Sequence, residues 1–226
     1  MNLPTIRAEL EDEQTWRQNE IRFLRNQLAN VSDPSEKMQF RRALVLMLYA
    51  HYEGYCKFAL LQYLKTINQE AIRCEEATSA IVAGAWSRIF TAMERGDQTS
   101  EIFRNSLPED ARLHRFARRR DFIEQFSEFA KQIARIPEET IDTESNLHPI
   151  VMQKNLYLLG LDHNLFSKHD GDILHLIYRR NNISHGSDKM GLTESEYERL
   201  ESAVFKIMDD LMDIVMEAMQ KERYKR

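Results

Sequence analysis

The stretch 178–186 has the sequence Tyr-Arg-Arg-Asn-Asn-Ile-Ser-His-Gly, which brings Arg180, Asn181 and His185 close together in the chain. An arginine guanidinium is permanently charged and binds phosphate oxygens through a planar fork of N–H groups. Histidine is the side chain whose proton moves most readily near neutral pH. Together these residue types predict the cleavage of a phosphodiester.

Each of these residues also has a simpler interpretation. His185 precedes Gly186, so it can be a helix-end histidine whose cation favours the C-terminal dipole, with the glycine as the left-handed residue that ends the helix. Arg179 and Arg180 can be a solvated or salt-bridged pair, as most helical arginines are. The spacing alone favours the simpler interpretation of His185.

The helix that carries these residues limits how they can cooperate. On an ideal helix, positions five apart differ by about 140° in azimuth, so Arg180 and His185 do not share one face. The two side chains can come together in three ways. The long arginine side chain can reach the histidine, the helix can fray at Gly186, or a second copy of the chain can supply one of the two residues. The angle alone leaves these three arrangements open.

Two stretches resemble the HEPN superfamily (higher eukaryotes and prokaryotes nucleotide-binding). The first is Arg180, four intervening residues and His185, with Asn181 directly after the arginine and Gly186 directly after the histidine. The second, 44–57, contains Tyr-x-x-Tyr-Glu-Gly at 49–54 and resembles the first core helix of a prokaryotic branch of HEPN-like nucleases. The resemblance covers roughly residues 36–220, judged by the order of the helices.

The resemblance implies an all-α helical bundle that cleaves RNA by attack of the 2′-hydroxyl, without a metal or another cofactor. Arg180 would stabilise the negative charge of the transition state, His185 would transfer protons, and Asn181 would orient the phosphate or hold the arginine. Related nucleases build a composite site by dimerisation, so we expect a homodimer with two Arg180/His185 pairs facing one cleft. The branch also implies a toxin of a toxin–antitoxin or antiphage system, with a cognate antitoxin protein as partner.

Two other functions remain open. HEPN modules can keep the scaffold without the activity and bind RNA, a nucleotide or a partner protein. A helical adaptor unrelated to HEPN is the third possibility, and it leaves the 178–186 stretch as a coincidence. Intact Arg180 and His185 favour the ribonuclease.

Glu53 lies one helical turn from both Tyr49 and Lys57 in the second stretch. It is either half of a Glu53–Lys57 salt bridge of little energetic consequence or the buried partner that positions Arg180. The sequence favours neither interpretation. We therefore include Glu53 among the candidate catalytic residues.

Composition indicates one all-helical domain. The 226 residues include only seven glycines and five prolines, and no Pro/Gly/Ser-rich linker divides them. The formal net charge of −5 argues against a general nucleic-acid coat protein.

One segment is strongly basic, because residues 104–120 contain six arginines against two acidic residues. RNA contacts are therefore predicted for a set of arginines: Arg115, Arg118, Arg119, Arg120 and, beside the motif, Arg179. A solvated helix face or a surface for an acidic antitoxin explains the segment equally well.

Cys56 and Cys74 have no CxxC spacing, so we expect reduced core thiols in a cytoplasmic protein. The longest apolar run, 43–50, is too short to cross a bilayer, so no membrane partner is expected. His163, His169 and His175 lack a metal-ligand spacing, and no metal or cofactor site is predicted.

The pattern predicts an N-terminal helical extension (1–34, with a helix over 5–30), a core with inserted helices (35–220) and a frayed basic tail (221–226). A central helix over 35–64 is apolar almost all round at 43–50, which predicts that it is fully surrounded. Further helices are expected near 75–95, 109–135, 149–160 and 170–185, with breaks at Gly96, Pro108, Pro137 and Gly171. The last helix begins with a Thr193/Glu196 capping box and should pack against the helix over 170–185.

Overall fold

The computed structural model describes residues 2–94, 99–187 and 189–226. Over these residues the chain is all-α, as predicted, with three short 3-10 turns and no strand. The helices are α1 (Leu3–Ala29), α2 (Pro34–Glu70), α3 (Ser79–Ala85), α4 (Ser87–Glu94), α5 (Ala111–Lys131), α6 (Pro149–Leu158), α7 (Asp170–Ser184) and α8 (Glu194–Gln220).

Helix α2 is the axis of the bundle and packs against α1, α7 and α8. Its start follows from Asp33, whose carboxylate accepts hydrogen bonds from the amides of Ser35 (2.8 Å) and Glu36 (2.9 Å). It ends at Glu70, and the C-cap residue Ala71 adopts the left-handed conformation with φ 49°. The predicted end at Leu64 was therefore too early, because no glycine or proline marks the true one.

The expectation that α2 is fully surrounded was wrong. Tyr52, Tyr55 and Leu60 are buried, but Ala43 and Ala50 are exposed. The apolar run 43–50 therefore begins and ends with alanines on a side of α2 that no other described helix covers. Alanine is apolar by class but small enough to lie at a surface without a large exposed apolar area.

Helix α1 is part of the core, since Leu10 and Ile21 are completely buried against α2 and α8. Gly54 of the Tyr-x-x-Tyr-Glu-Gly stretch lets α1 come close to α2, because a Cβ on Gly54 would lie 3.1 Å from Nη1 of Arg17. His51, the residue before Tyr52, reaches Glu20 of α1 with 2.8 Å between Nε2 and Oε2. The residues predicted as an N-terminal extension are thus held by both apolar and polar contacts.

The single helix expected near 75–95 is instead a 3-10 turn at Cys74–Glu76 followed by α3 and α4. Gly171 does not break a helix but lies in the first turn of α7. The predicted break at Gly96 lies outside the described residues. Pro108 and Pro137 fall between helices, as expected.

Helices α4 and α5 pack against each other to form what we call the α4–α5 arm, comprising residues 86–94 and 111–131. Five aromatic rings meet inside it, with centroid separations of 5.7–6.3 Å. They belong to Trp86, Phe90, Phe122, Phe126 and Phe129. Aromatic packing thus joins the two helices of the arm.

The C-terminal tail is not frayed, contrary to the prediction. Tyr224 is buried beside Tyr63, with 6.4 Å between the ring centroids. The carbonyl of Tyr224 accepts a hydrogen bond from the Thr78 amide at 2.9 Å, and the Arg226 amide donates to the Glu76 carbonyl at 2.9 Å. A buried aromatic ring explains why these last residues are fixed.

Cys56 and Cys74 are both free and buried, as predicted. Burial raises the pKa of the Cys74 thiol above its usual value. Within the part of the chain that the structure describes, no helix is long and apolar enough to cross a membrane.

Candidate active site

The end of α7 explains where His185 lies. His185 is the C-cap, and Gly186 adopts the left-handed conformation with φ 71°. The Gly186 amide donates to the Ile183 carbonyl (3.1 Å) and the Ser187 amide to the Asn182 carbonyl (3.0 Å), which is a Schellman motif. Gly186 is therefore the left-handed residue that ends the helix, as considered from the sequence. The His185 side chain takes no part in this turn and is exposed.

Arg180 points the other way, towards α2. Its guanidinium carbon lies 4.8 Å from the centroid of the Tyr49 ring, a cation–π contact. Its Nη1 donates to Oδ1 of Asn146 at 3.0 Å and to Oδ1 of Asn181 at 2.8 Å. Between described residues no hydrogen bond occupies Nε or Nη2 of Arg180, so the rest of its fork is open to a ligand.

Two tyrosines of α2 fix the segment that carries Asn146. The Tyr49 hydroxyl accepts a hydrogen bond from the Leu147 amide at 2.9 Å, and the Tyr52 hydroxyl donates to the Leu147 carbonyl at 3.3 Å. Both backbone polar groups of the buried residue Leu147 are therefore satisfied by α2. Asn146 is thereby placed beside Arg180.

Glu53 is half-buried and acts on Tyr49. Burial, and to a smaller extent the nearby Glu53 carboxylate, raise the pKa of Tyr49 to about 12. Among the described residues, no ion pair within 4.0 Å joins Glu53 to Lys57 or to Arg180. Glu53 thus matches neither predicted ion pair and is linked to Arg180 through Tyr49.

The structure does not join Arg180 to His185 within one chain. No hydrogen bond between described residues connects the two side chains, in accordance with their angular separation on the helix. His185 instead lies at the end of an exposed stripe on α7 that includes Leu174 and Tyr178, which are 50% and 63% exposed. Because positions 174, 178 and 185 fall within about 40° of one another, they form one surface.

Arg179 is tied to the segment that follows the motif. Its Nη2 donates to the Gly191 carbonyl at 2.7 Å, and its Nε lies 3.3 Å from Oε1 of Glu196. Gly191 itself lies against α2, where a Cβ would come within 1.8 Å of the Met38 carbonyl oxygen. Arg179, for which RNA contacts are predicted, is therefore engaged with Gly191 and Glu196.

Helix α8 packs against α7, as predicted. The Thr193 hydroxyl caps it by accepting from the Glu196 amide at 3.2 Å. The Glu196 side chain instead contacts Nε2 of His175 at 2.6 Å. Among the described residues, only the threonine contact of the predicted capping box forms, because the Glu196 side chain pairs with His175 of α7.

The arginines of the basic segment lie on α5, which packs against α4 and the 3-10 turn at Cys74–Glu76. Arg118 donates from Nε to the Met93 carbonyl at 3.0 Å, and Arg120 lies 3.4 Å from both Asp121 and Glu124. Arg115 and Arg119 have no carboxylate within 4.0 Å among the described residues. No hydrogen bond or ion pair between described residues connects α5 to α7, so the structure leaves the two predicted groups apart.

No group of three or more potential metal-ligating side chains occurs within the ranges that the structure describes. His163 is exposed and contacts the edge of Tyr157, with 6.0 Å between the ring centroids. Burial lowers the pKa of His169 below its usual value.

Tyr49 and Asn146 are the site residues that the sequence did not reveal as such. Tyr49 had one signal, its position one turn before Glu53. Asn146 had none, because it lies 34 positions from Arg180 in a segment without periodicity.

Tyr49→Phe is expected to lower the free energy of unfolding by about 1–3 kcal/mol. The substitution keeps the ring under Arg180 but leaves the buried Leu147 amide without its acceptor. Urea unfolding followed by circular dichroism measures the change. Tyr157→Phe is the control, since Tyr157 is 66% exposed, and an equal loss in both variants would contradict the role assigned to the Tyr49 hydroxyl.

A long central helix, an arginine held against it, and a histidine five positions later at a helix end define a HEPN-type helical module. The chain belongs to the HEPN_MAE_28990-like HEPN family, whose model matches residues 6–224. Comparisons with curated proteins and with solved structures gave no match. The family includes α1 and the C-terminal segment, and the HEPN superfamily to which it belongs includes ribonucleases.

Proposed function

We propose that the protein is a metal-independent endoribonuclease, acting as the toxin of a toxin–antitoxin or antiphage system. The observation that carries this proposal is the open side of the Arg180 fork. Tyr49, Asn146 and Asn181 hold one side of the guanidinium, and Nε and Nη2 remain for phosphate oxygens. A guanidinium fixed before substrate binds stabilises developing charge without reorganisation in the transition state.

In the proposed reaction the 2′-oxygen of a ribose forms a bond to the adjacent phosphorus, and the bond from phosphorus to the 5′-oxygen breaks. One imidazole accepts the 2′-hydroxyl proton, and a protonated imidazole donates to the leaving 5′-oxygen. The products are a 2′,3′-cyclic phosphate and a 5′-hydroxyl. In each of the two sites of the dimer, one His185 supplies the base and, once protonated, the acid.

The other candidate residues take supporting roles in this proposal. Asn181 positions Arg180 directly, and Glu53 does so through the Tyr49 hydroxyl. Arg115 and Arg119 of α5, together with Arg118 and Arg120, provide contacts for RNA outside the cleavage site. Arg179 donates to the Gly191 carbonyl and so supports the chain beyond the motif.

Cleavage is expected to continue at full rate in excess EDTA, because a guanidinium and an imidazole supply the charge stabilisation and the proton transfer. The test uses a 5′-labelled single-stranded RNA and identifies the new 3′ end as a cyclic phosphate. Loss of cleavage on chelation, with recovery in magnesium or manganese, would reject this mechanism. A 3′-hydroxyl product would reject it as well.

One observation favours a second function, a HEPN module that binds RNA, a nucleotide or a protein without cleaving. Arg180 and His185 make no described contact within one chain, and a monomer with this geometry has no complete site. This function predicts that the wild type binds RNA without cutting it and that Arg180→Ala loses the affinity. Cleavage and equilibrium binding measured on one RNA separate the two functions.

A further inference from the structure

A second basic site lies where the end of α1 meets the beginnings of α2 and α8. These elements enclose a pocket of about 310 Å³, which is at the lower end of the range for small-molecule sites. Four of its lining side chains are cations and one is a carboxylate. They are Arg22, Arg25, Lys37, Arg41 and Glu194.

Two of the four cations are neutralised within the protein. Arg25 pairs through Nη1 with Glu201 at 2.6 Å and through Nη2 with Glu198 at 3.6 Å. Arg41 has a buried side chain that donates to the Leu192 carbonyl at 3.3 Å and lies 3.5 Å from Glu194. These contacts fix two guanidinium groups in the pocket wall.

The other two cations are not neutralised by the protein. Among the described residues, neither Arg22 nor Lys37 has a carboxylate within 4.0 Å. Glu194, Glu198 and Glu201 offset the charges of Arg25 and Arg41, so what remains is the repulsion between Arg22 and Lys37. An anion in the pocket would remove the remainder.

The lining chemistry indicates which anion fits. Arginine binds phosphate oxygens in a bidentate manner, and lysine adds a mobile point charge. The described lining contains no aromatic ring on which a base could stack. The site therefore selects charge in a small volume rather than a nucleobase.

We propose that this pocket binds a compact oligophosphate, a group of two or more linked phosphates. The group can be part of a free small molecule or the 5′ end of an RNA. The site is separate from the proposed cleavage centre, since Arg41 and Tyr49 are about 12 Å apart along α2.

Inorganic tripolyphosphate is the probe, and isothermal titration calorimetry at low salt is the measurement. The wild type should bind it, and Arg22→Gln and Lys37→Gln should each weaken binding roughly tenfold, the usual effect of one lost charged hydrogen bond. Arg135→Gln is the matched control, because Arg135 is exposed, lines none of the pocket and has no carboxylate within 4.0 Å among the described residues. Bound tripolyphosphate should also raise the melting temperature of the wild type.

Tripolyphosphate has no ribose 2′-hydroxyl and cannot undergo the proposed cleavage, so its binding is measured independently of that activity. No binding at millimolar tripolyphosphate, or equal binding by Arg22→Gln, Lys37→Gln and the wild type, would overturn the proposal. An RNA carrying a 5′-triphosphate and the same RNA with a 5′-hydroxyl distinguish the two sources. If the wild type binds the triphosphate RNA more tightly and Lys37→Gln does not, the ligand of the pocket is the 5′ end of an RNA. If both RNAs bind equally while tripolyphosphate still binds, the ligand is a free small molecule.

Discussion

Arg180→Ala is expected to slow RNA cleavage by roughly 10²–10³-fold while RNA affinity falls much less. The reason is that Arg180 acts on charge that exists only in the transition state, where its open Nε and Nη2 meet the phosphate oxygens. His185→Ala should slow cleavage by about 10²–10⁴-fold, the usual contribution of a proton-transfer group. Its fold should be unchanged, since the exposed imidazole makes no described hydrogen bond and the Schellman motif uses only backbone.

Single-turnover cleavage and equilibrium binding on the same RNA measure both effects. His163→Ala is the control for His185, because His163 is also an exposed histidine. Arg180→Lys keeps the charge but loses the planar fork, so it should rank between the wild type and Arg180→Ala. Wild-type cleavage rates in both alanine variants would remove these residues from the active site.

The second large effect concerns complementation between two inactive variants. If each site takes Arg180 from one copy and His185 from another, a mixture of Arg180→Ala and His185→Ala forms heterodimers with one intact site. At equal amounts with free exchange, half of the dimers are mixed and one of their two sites works. The mixture should therefore recover about a quarter of wild-type activity, although each variant alone is inactive.

Light scattering provides the companion measurement, and it should report twice the chain mass of 26.7 kDa. The exposed stripe of Leu174, Tyr178 and His185 suggests a route to this assembly, because it places apolar surface beside the imidazole. Tyr178→Glu should then reduce both the dimer mass and the cleavage rate. A fully active monomer, or a mixture with no recovered activity, would contradict the composite site.

The sequence predicted well whatever depends on local patterns. Helix α8 follows the predicted threonine cap and packs against α7, and both were found where expected. The turn at Gly186 needs a left-handed residue directly after the helix, and a glycine is the usual residue at that place. The contact between Asn181 and Arg180 joins neighbours, so it was among the predicted roles.

Features that depend on distant residues were missed. The tail was predicted to fray because its charge is high, whereas Tyr224 packs against Tyr63 on α2. Asn146 reaches Arg180 only because Tyr49 and Tyr52 fix the next peptide, and no periodic pattern records such a contact. The length of α2 was underestimated because its last turns contain no residue that stops a helix.

The aromatic cluster of the α4–α5 arm has a consequence for spectroscopy. The chain contains only two tryptophans, and they report on different structural units. Trp86 is 7% exposed inside the arm, whereas Trp16 on α1 is 45% exposed and meets the edge of His51. Fluorescence of a Trp16→Phe variant therefore follows the arm alone, and it can resolve a partial opening of the arm from global unfolding of the bundle.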